Sequence, residues 1–379
     1  MSDQKPDRIT SIALSHVVLP LKHEISDAKV FTGRQRPMTE VNFLFCELET
    51  ADGISGVGFS YSKRAGGPAQ FAHAKEVAGN LIGEDPSDID RLRVKLLWVG
   101  ASVGRSGVAV QAIAAIDVAL WDLKSKRAGL PLSKLIGAHR DSVRCYNTSG
   151  GFLSSPLPEV LDNATRSVEA GIGGIKIKVG HPDHRVDFER LTAMREHLGE
   201  DFPLMVDANQ QWDRPTAMRM CRAMEEFNLV WIEEPLDAYD NAGHAELVRE
   251  IATPIATGEM LASVAEHKRL IDLRACDVIQ PDAPRIGGVS EFRRLAILAE
   301  DAGLQLAPHF AMEIHSHLAA TYPIEPWVEH FDWLDPLFNE HMEIADGRML
   351  VSGRPGLGIT LSEQLRAWTV DTCLLSDRP

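Results

Sequence analysis

The sequence predicts an α/β fold: a TIM-like (β/α)7β barrel with an N-terminal α+β capping domain that the C-terminal segment completes. Three observations carry this. From about residue 142 short apolar strands recur with starts 23 to 32 residues apart, the length of one βα unit. The first third has strands followed by helices instead. Nearly every barrel strand after the first ends on a charged or titratable residue, where barrel enzymes place their chemistry.

In the capping domain, set at residues 1–135, stretches 9–20 and 41–61 read as strands. Ala51-Asp52-Gly53 is a turn that folds 41–49 and 55–61 into a hairpin. Helical apolar spacing follows at 70–83, 87–98 and 106–128; Ser106-Gly107 opens the last, and Gly129 before Pro131 closes it. The barrel is set at 136–345, with strands at 143–148, 175–179, 204–207, 229–233, 255–259, 278–282, 304–309 and 328–331. Amphipathic helices at 160–170, 186–198, 216–227 and 291–302 lie between them. Gly171-Ile172-Gly173-Gly174 precedes a strand rather than following one, which argues against a dinucleotide-binding open sheet. The tail, 346–379, holds no further βα unit and is expected to pack back on the capping domain.

At 379 residues and 44% hydrophobic content, the chain is large enough for a barrel plus a smaller domain. A net charge of −15 without a basic block argues against nucleic acid and anionic membranes as partners. Met1 to Arg8 is polar and no apolar run approaches the roughly 20 residues of a membrane helix. Five scattered cysteines without CxxC spacing read as reduced thiols. Together these point to a cytoplasmic protein.

The strand ends supply Lys176 and Lys178, Asp207, Glu233, Glu259, Asp282, His309 and Glu329. Asp207, Glu233 and Glu259 come from three consecutive strands at equal separations (233 − 207 = 26, 259 − 233 = 26). Three neighbouring carboxylates repel unless a cation holds them, and an all-oxygen set favours Mg2+. Lys176 and Lys178 alternate along one strand, so both face inward. Each disfavours the other's charge, which is expected to lower the pKa of one and make it a base. Asp282 beside His309 is expected to fix its tautomer and raise its basicity. A metal between an amine and an imidazole suits removal of a proton α to a carboxylate from either face. Lys176, and Glu329 if protonated, are expected to hydrogen-bond the other carboxylate oxygen.

These motifs resemble the enolase superfamily, in particular its mandelate racemase subgroup. The resemblance spans nearly the whole chain: Lys176-Ile-Lys178, Val206-Asp207-Ala-Asn209, Trp231-Ile-Glu233-Glu-Pro, Gly258-Glu259, Asp282 followed by Gly287-Gly288, Pro308-His309, and Glu329 in Trp327-Val-Glu-His. It implies Lys178 and His309, the latter paired with Asp282, as bases and Asp207, Glu233 and Glu259 as ligands to one Mg2+. The runs Ile25-Ser-Asp27-Ala28-Lys29, Thr32-Gly-Arg34, Ser60-Tyr-Ser-Lys63-Arg64-Ala-Gly-Gly and Tyr146-Asn-Thr-Ser-Gly-Gly151 are similar to those of galactarate and L-talarate dehydratases. That closer likeness implies dehydration of an aldarate to a keto-deoxy sugar diacid, with epimerisation as a side reaction. It also implies specificity loops near 22–36 and 59–67, with Asp27, Ala28, Lys29, Lys63, Arg64, Lys176, Asn209 and Glu329 as substrate contacts. The cations Lys29, Lys63 and Arg64 suit a second carboxylate remote from the metal. A homo-oligomer, dimer or octamer, is the assembly expected of the family. Dehydration of another acid sugar such as glucarate, racemisation without elimination, and silent sugar-acid binding stay open as alternatives. A base on each face argues against the last.

Overall fold

The computed structural model describes residues 7–377. The polar start at residues 1–6 and the last two residues of the tail lie outside the described residues. The chain opens with three antiparallel strands, β1 (Ile9–Ile25), β2 (Met38–Thr50) and β3 (Ser55–Lys63), with the C-terminal strand Thr369–Ser376 paired on the outer edge of β1.

The side-chain alternation of β3 explains how this sheet meets the barrel. Its even positions are small: Gly56, Gly58, Ser60 and Ser62. They let helix Val108–Ala128 lie against the strand backbone. A Cβ on Gly58 would sit 2.2 Å from the Ala115 carbonyl oxygen, and one on Gly56 2.2 Å from that of Ala119, so only glycine fits. The odd positions, Phe59, Tyr61 and Lys63, face the other way. Phe59 packs with Phe43, Phe45 and Phe338, ring centroids 5.6 to 6.3 Å apart, and Tyr61 and Lys63 continue this face into the barrel mouth. Helix Val108–Ala128 is also tied to the barrel and tail. Asp117 accepts from the Ser290 amide (3.0 Å) and hydroxyl (2.6 Å), while Asp122 accepts from the Val57 (2.8 Å) and Leu357 (2.7 Å) amides.

The barrel strands are β4 (Ser142–Asn147), β5 (Ile175–Lys178), β6 (Leu204–Asp207), β7 (Ile232–Glu233), β8 (Ile255–Thr257), β9 (Val278–Ile279), β10 (Gln305–Leu306) and β11 (Trp327–His330). Parallel ladders run from β11 through β4 and on in sequence to β10. The Phe310 amide bridges the β10–β11 seam by donating to Glu329 Oε2 at 2.9 Å.

Six strands stop short of the expected ends at 148, 179, 259, 282, 309 and 331, and β7 starts late, at Ile232 rather than 229. Pro281 and Pro308 have no N–H to offer a ladder. Gly258 turns to φ 132°, and Asn209, Gln210, Glu234, Phe310 and Ala311 all take positive φ just past their strands. The backbone therefore curls open above the ladders. Glu259, Asp282 and His309 sit on these curls rather than on the strands themselves, a location where such strain accompanies function.

Inside the barrel Tyr146, Met205, Trp231, Ala256, Val278, Ala307 and Trp327 form one buried apolar layer. Tyr146, Trp231 and Trp327 meet edge-to-face at 5.1 to 6.3 Å. Two residues further along the chain come Asp207, Glu233 and Glu329 at the strand ends and Gln280 and His309 just past theirs. The period of the strand thus stacks a polar layer on an apolar one.

The tail departs from expectation at its start. Ile344–Ala345 and Arg348–Leu350 form a hairpin through Asp346 (φ 50°) and Gly347 (φ 77°), and Arg348–Leu350 pairs antiparallel with β4. This part of 346–379 therefore belongs to the barrel sheet, because the first half of β4 leaves an edge that β5 does not cover. Among the described residues all five cysteines are free, and no helix is long and apolar enough to cross a membrane.

Candidate active site

Asp207, Glu233 and Glu259 are buried, and one oxygen of each lies within 4.8 Å of the others. Glu233 is the most constrained. Lys176 donates to both its oxygens (2.8 and 2.7 Å), and Trp231 Nε1 (3.1 Å) and Gln280 Nε2 (2.7 Å) donate to Oε2. Burial and the neighbouring acids still push its pKa up to about 8 despite Lys176. Asp207 accepts from the Asn209 amide (2.7 Å) and side chain (3.1 Å) and from Lys178. Three hard oxygen donors on a buried rim that disfavours their own charge fit a divalent cation of the Mg2+ kind.

The site opens into a cavity of about 640 Å3 at the capping-domain interface. Lys178, Asn209, Glu259, His309 and Glu329 reach it from the barrel, and Asp27, Lys29, Lys63 and Arg64 from the capping domain. Lys178 and His309 thus share one cavity with the carboxylates between them in strand order, as the spacing predicts.

The electrostatics correct several expectations. Burial disfavours the Lys178 ammonium, but Asp207 outweighs it and the pKa is raised, not lowered by Lys176. Proximity of the two amines is the weaker influence because each has its own carboxylate. Lys176 itself is only 1% exposed and pairs with Glu233 and Glu329 (2.8 Å); burial opposes its charge, but these acids hold its pKa well above normal. It does not line the cavity; its ammonium lies between Glu233 and Glu329 and braces the Glu233 carboxylate. Glu329 accepts from the Phe310 amide at Oε2 and pairs with Lys176 through Oε1 (2.8 Å).

His309 Nδ1 is 2.9 Å from Asp282 Oδ2, so the dyad is present. Its basicity is not raised. Burial, then Lys63 and Arg285, hold the imidazole pKa well below normal, while burial pushes Asp282 up to about 7. Lys63 is not remote from the chemistry either: Nζ is 3.3 Å from His309 Nε2 and 4.7 Å above the Phe310 ring. Burial lowers its pKa to about 8. Asp27 caps the short helix Ala28–Phe31, accepting from the Lys29 amide (2.9 Å), and pairs with Arg64 at 3.2 Å. Ala28 is buried in that turn, with its carbonyl taken by Thr32, and does not line the cavity.

Four residues escaped the sequence reading: Tyr61, Gln280, Arg285 and Arg36. Alternation carried the signal for two of them, since Tyr61 lies two before Lys63 and Gln280 two before Asp282. Arg285 follows Asp282 by three on the one-turn helix Ala283–Ile286. Arg36 had no pattern of its own and enters the cavity only through the fold of its loop.

Fold and site together define a capped barrel enzyme with acid–base groups around a place for a divalent cation. The chain belongs to the enolase superfamily. Residues 159–365 match the family described as enolase C-terminal domain-like, and residues 30–137 match the mandelate racemase / muconate lactonizing enzyme N-terminal domain. It is 65% identical over 373 residues, 98% of this chain and 94% of the relative, to the L-talarate/galactarate dehydratase of Salmonella typhimurium. The crystal structure of that enzyme liganded with Mg and L-lyxarohydroxamate superposes with a TM-score of 0.98 at 63% identity, covering 100% of this chain and 98% of the other. An L-talarate dehydratase from a Polaromonas species, complexed with Mg and L-glucarate, gives 0.96 at 67% identity over 98% and 100% of the two chains.

Proposed function

We propose that this chain is an Mg2+-dependent hydro-lyase that dehydrates galactarate and L-talarate to a keto-deoxy sugar diacid. The observation that carries this reading is the cavity that Lys178, His309 and Glu259 line together, with Glu259 grouped within 4.8 Å of Asp207 and Glu233. The dehydratase relatives support the substrate class.

In this reading Asp207, Glu233 and Glu259 hold Mg2+, which supplies positive charge to offset the negative charge that develops on the substrate carboxylate. Lys178 or His309 takes the α-proton, depending on which face it occupies. The C–H electron pair moves into an enediolate, the β-hydroxyl leaves with a proton as water, and the resulting enol tautomerises to the ketone. Reprotonation from the opposite face gives the epimer instead. Asp207 governs the amine: its carboxylate stabilises the Lys178 ammonium, and a carboxylate engaged elsewhere lets that ammonium give up its proton, leaving a neutral amine that can take one from the substrate. Lys29, Arg36 and Arg64 stand on the capping side of the cavity, where the second carboxylate of a diacid has a cationic partner. Free, mostly buried thiols support a reducing, cytoplasmic setting. A homo-oligomer, dimer or octamer, is the assembly we expect.

The test is a screen of aldaric and aldonic acids for keto-acid formation with Mg2+ and with EDTA. Galactarate and L-talarate should give product only with the metal. Turnover of another acid sugar with neither of these consumed overturns the substrate assignment, and undiminished turnover after EDTA overturns the metal.

A further inference from the structure

The capping strand β3 touches both ring nitrogens of the barrel histidine. Tyr61 Oη is 3.2 Å from His309 Nδ1 and donates to Asp282 Oδ2, the oxygen that also stands 2.9 Å from Nδ1. Lys63, two residues on and on the same face of β3, stands 3.3 Å from Nε2, where Glu259 Oε2 of the barrel also lies at 3.3 Å. Tyr61 is 1% exposed, and its ring packs 4.6 Å from Phe310 and 6.2 Å from Phe43. A buried hydroxyl there needs a partner; it meets Asp282 and His309, and the Arg285 guanidinium also interacts with it. Asp282 Oδ1 has no hydrogen-bond partner, so Oδ2 alone serves both the tyrosine and the histidine.

We propose that Tyr61 is a positioning residue for His309. Its hydroxyl occupies one lone pair of Asp282 Oδ2 and keeps that oxygen an acceptor toward Nδ1–H, so the Nε2 lone pair faces the cavity. Without the hydroxyl, Asp282 loses one of its two donors, and the imidazole is free to turn or to adopt the Nε2–H tautomer, which cannot accept a proton from substrate. The capping domain thereby takes part in the acid–base chemistry as well as in specificity. This inference rests on the reading of His309 as a base.

Tyr61→Phe keeps the ring packing and removes only the hydroxyl. It should lower kcat roughly 10- to 100-fold, the usual cost of losing a group that orients a reacting side chain, with KM and Tm close to wild type. Exchange of the substrate α-proton in D2O then separates the two faces. Added to Lys178→Ala, which leaves the His309 face, Tyr61→Phe should slow exchange; added to His309→Asn, which leaves the Lys178 face, it should not. Equal slowing on both faces, or a loss seen only in KM, overturns the proposal. If the variant does not fold, 15N-histidine NMR of the wild-type holoenzyme decides, with the His309 signal assigned by its absence in His309→Asn. Nδ1–H with a bare Nε2 supports the proposal, and the opposite tautomer overturns it. Failure of the wild type to turn over galactarate or L-talarate would count against the substrate reading alone, because the tautomer measurement needs no substrate.

Discussion

The barrel mouth and the capping face of the cavity are built on different principles. At the mouth, Lys176, Asp207, Glu233, Asp282 and Glu329 are 1% exposed or less, and each is held by two or more charged or polar partners. On the capping side Asp27 and Arg64 form a pair whose side chains are 13% and 21% exposed, on a one-turn helix and a loop. Chemistry that depends on fractions of an ångström sits on rigid strand ends, while groups that choose a substrate sit on loops that vary without disturbing the core. Strand β3 is the exception. It belongs to the capping domain yet is anchored as tightly as the barrel, and it delivers Tyr61 and Lys63 to His309.

The contrast can be broken most severely at the bases. Lys178→Ala and His309→Asn should each lower kcat roughly 10²- to 10⁴-fold with Tm preserved, as steady-state kinetics and thermal melts would reveal. Full activity in both would remove the two-base arrangement. Next comes the brace. Lys176→Met leaves Glu233 and Glu329 buried without their shared cation and should destabilise the metal-free protein by about 3–5 kcal/mol in urea denaturation. A loss of activity with unchanged stability would make Lys176 a substrate contact after all.

Smaller effects are expected where the capping domain docks. A methyl on Gly58 meets the backbone of helix Val108–Ala128. Gly58→Ala should therefore cost about 1–3 kcal/mol and, by shifting β3, lower kcat along with stability. If only stability falls, β3 does not transmit its position to His309. The smallest effect belongs to the loop. Arg64→Ala removes a partly exposed ion pair worth about 1 kcal/mol or less, so Tm should hardly move, while KM for the diacid rises and kcat holds. A fall in kcat with KM unchanged would place Arg64 among the reacting groups.

Much of this architecture was legible because it follows from local periodicity. The βα spacing, the three carboxylates at equal separations and the inward alternation of Lys176 and Lys178 all follow from what a strand does to successive side chains. The same rule, applied two residues upstream of Lys63 and Asp282, would have exposed Tyr61 and Gln280. It failed for the roles of neighbours. Lys176 and Lys178 sit together in sequence, but which carboxylate each meets depends on strands β6, β7 and β11.

By itself the sequence determined the barrel, its capping sheet and the identity of the polar layer, since residue type and a period of two suffice for those. Only the tertiary structure decided the charge states and the division of labour. It set Lys176 between Glu233 and Glu329, withdrew Ala28 from the cavity and brought Lys63 to His309. The physical reason is that burial and Coulomb interactions depend on distances through space between groups as many as 248 positions apart in the chain, as between Tyr61 and His309.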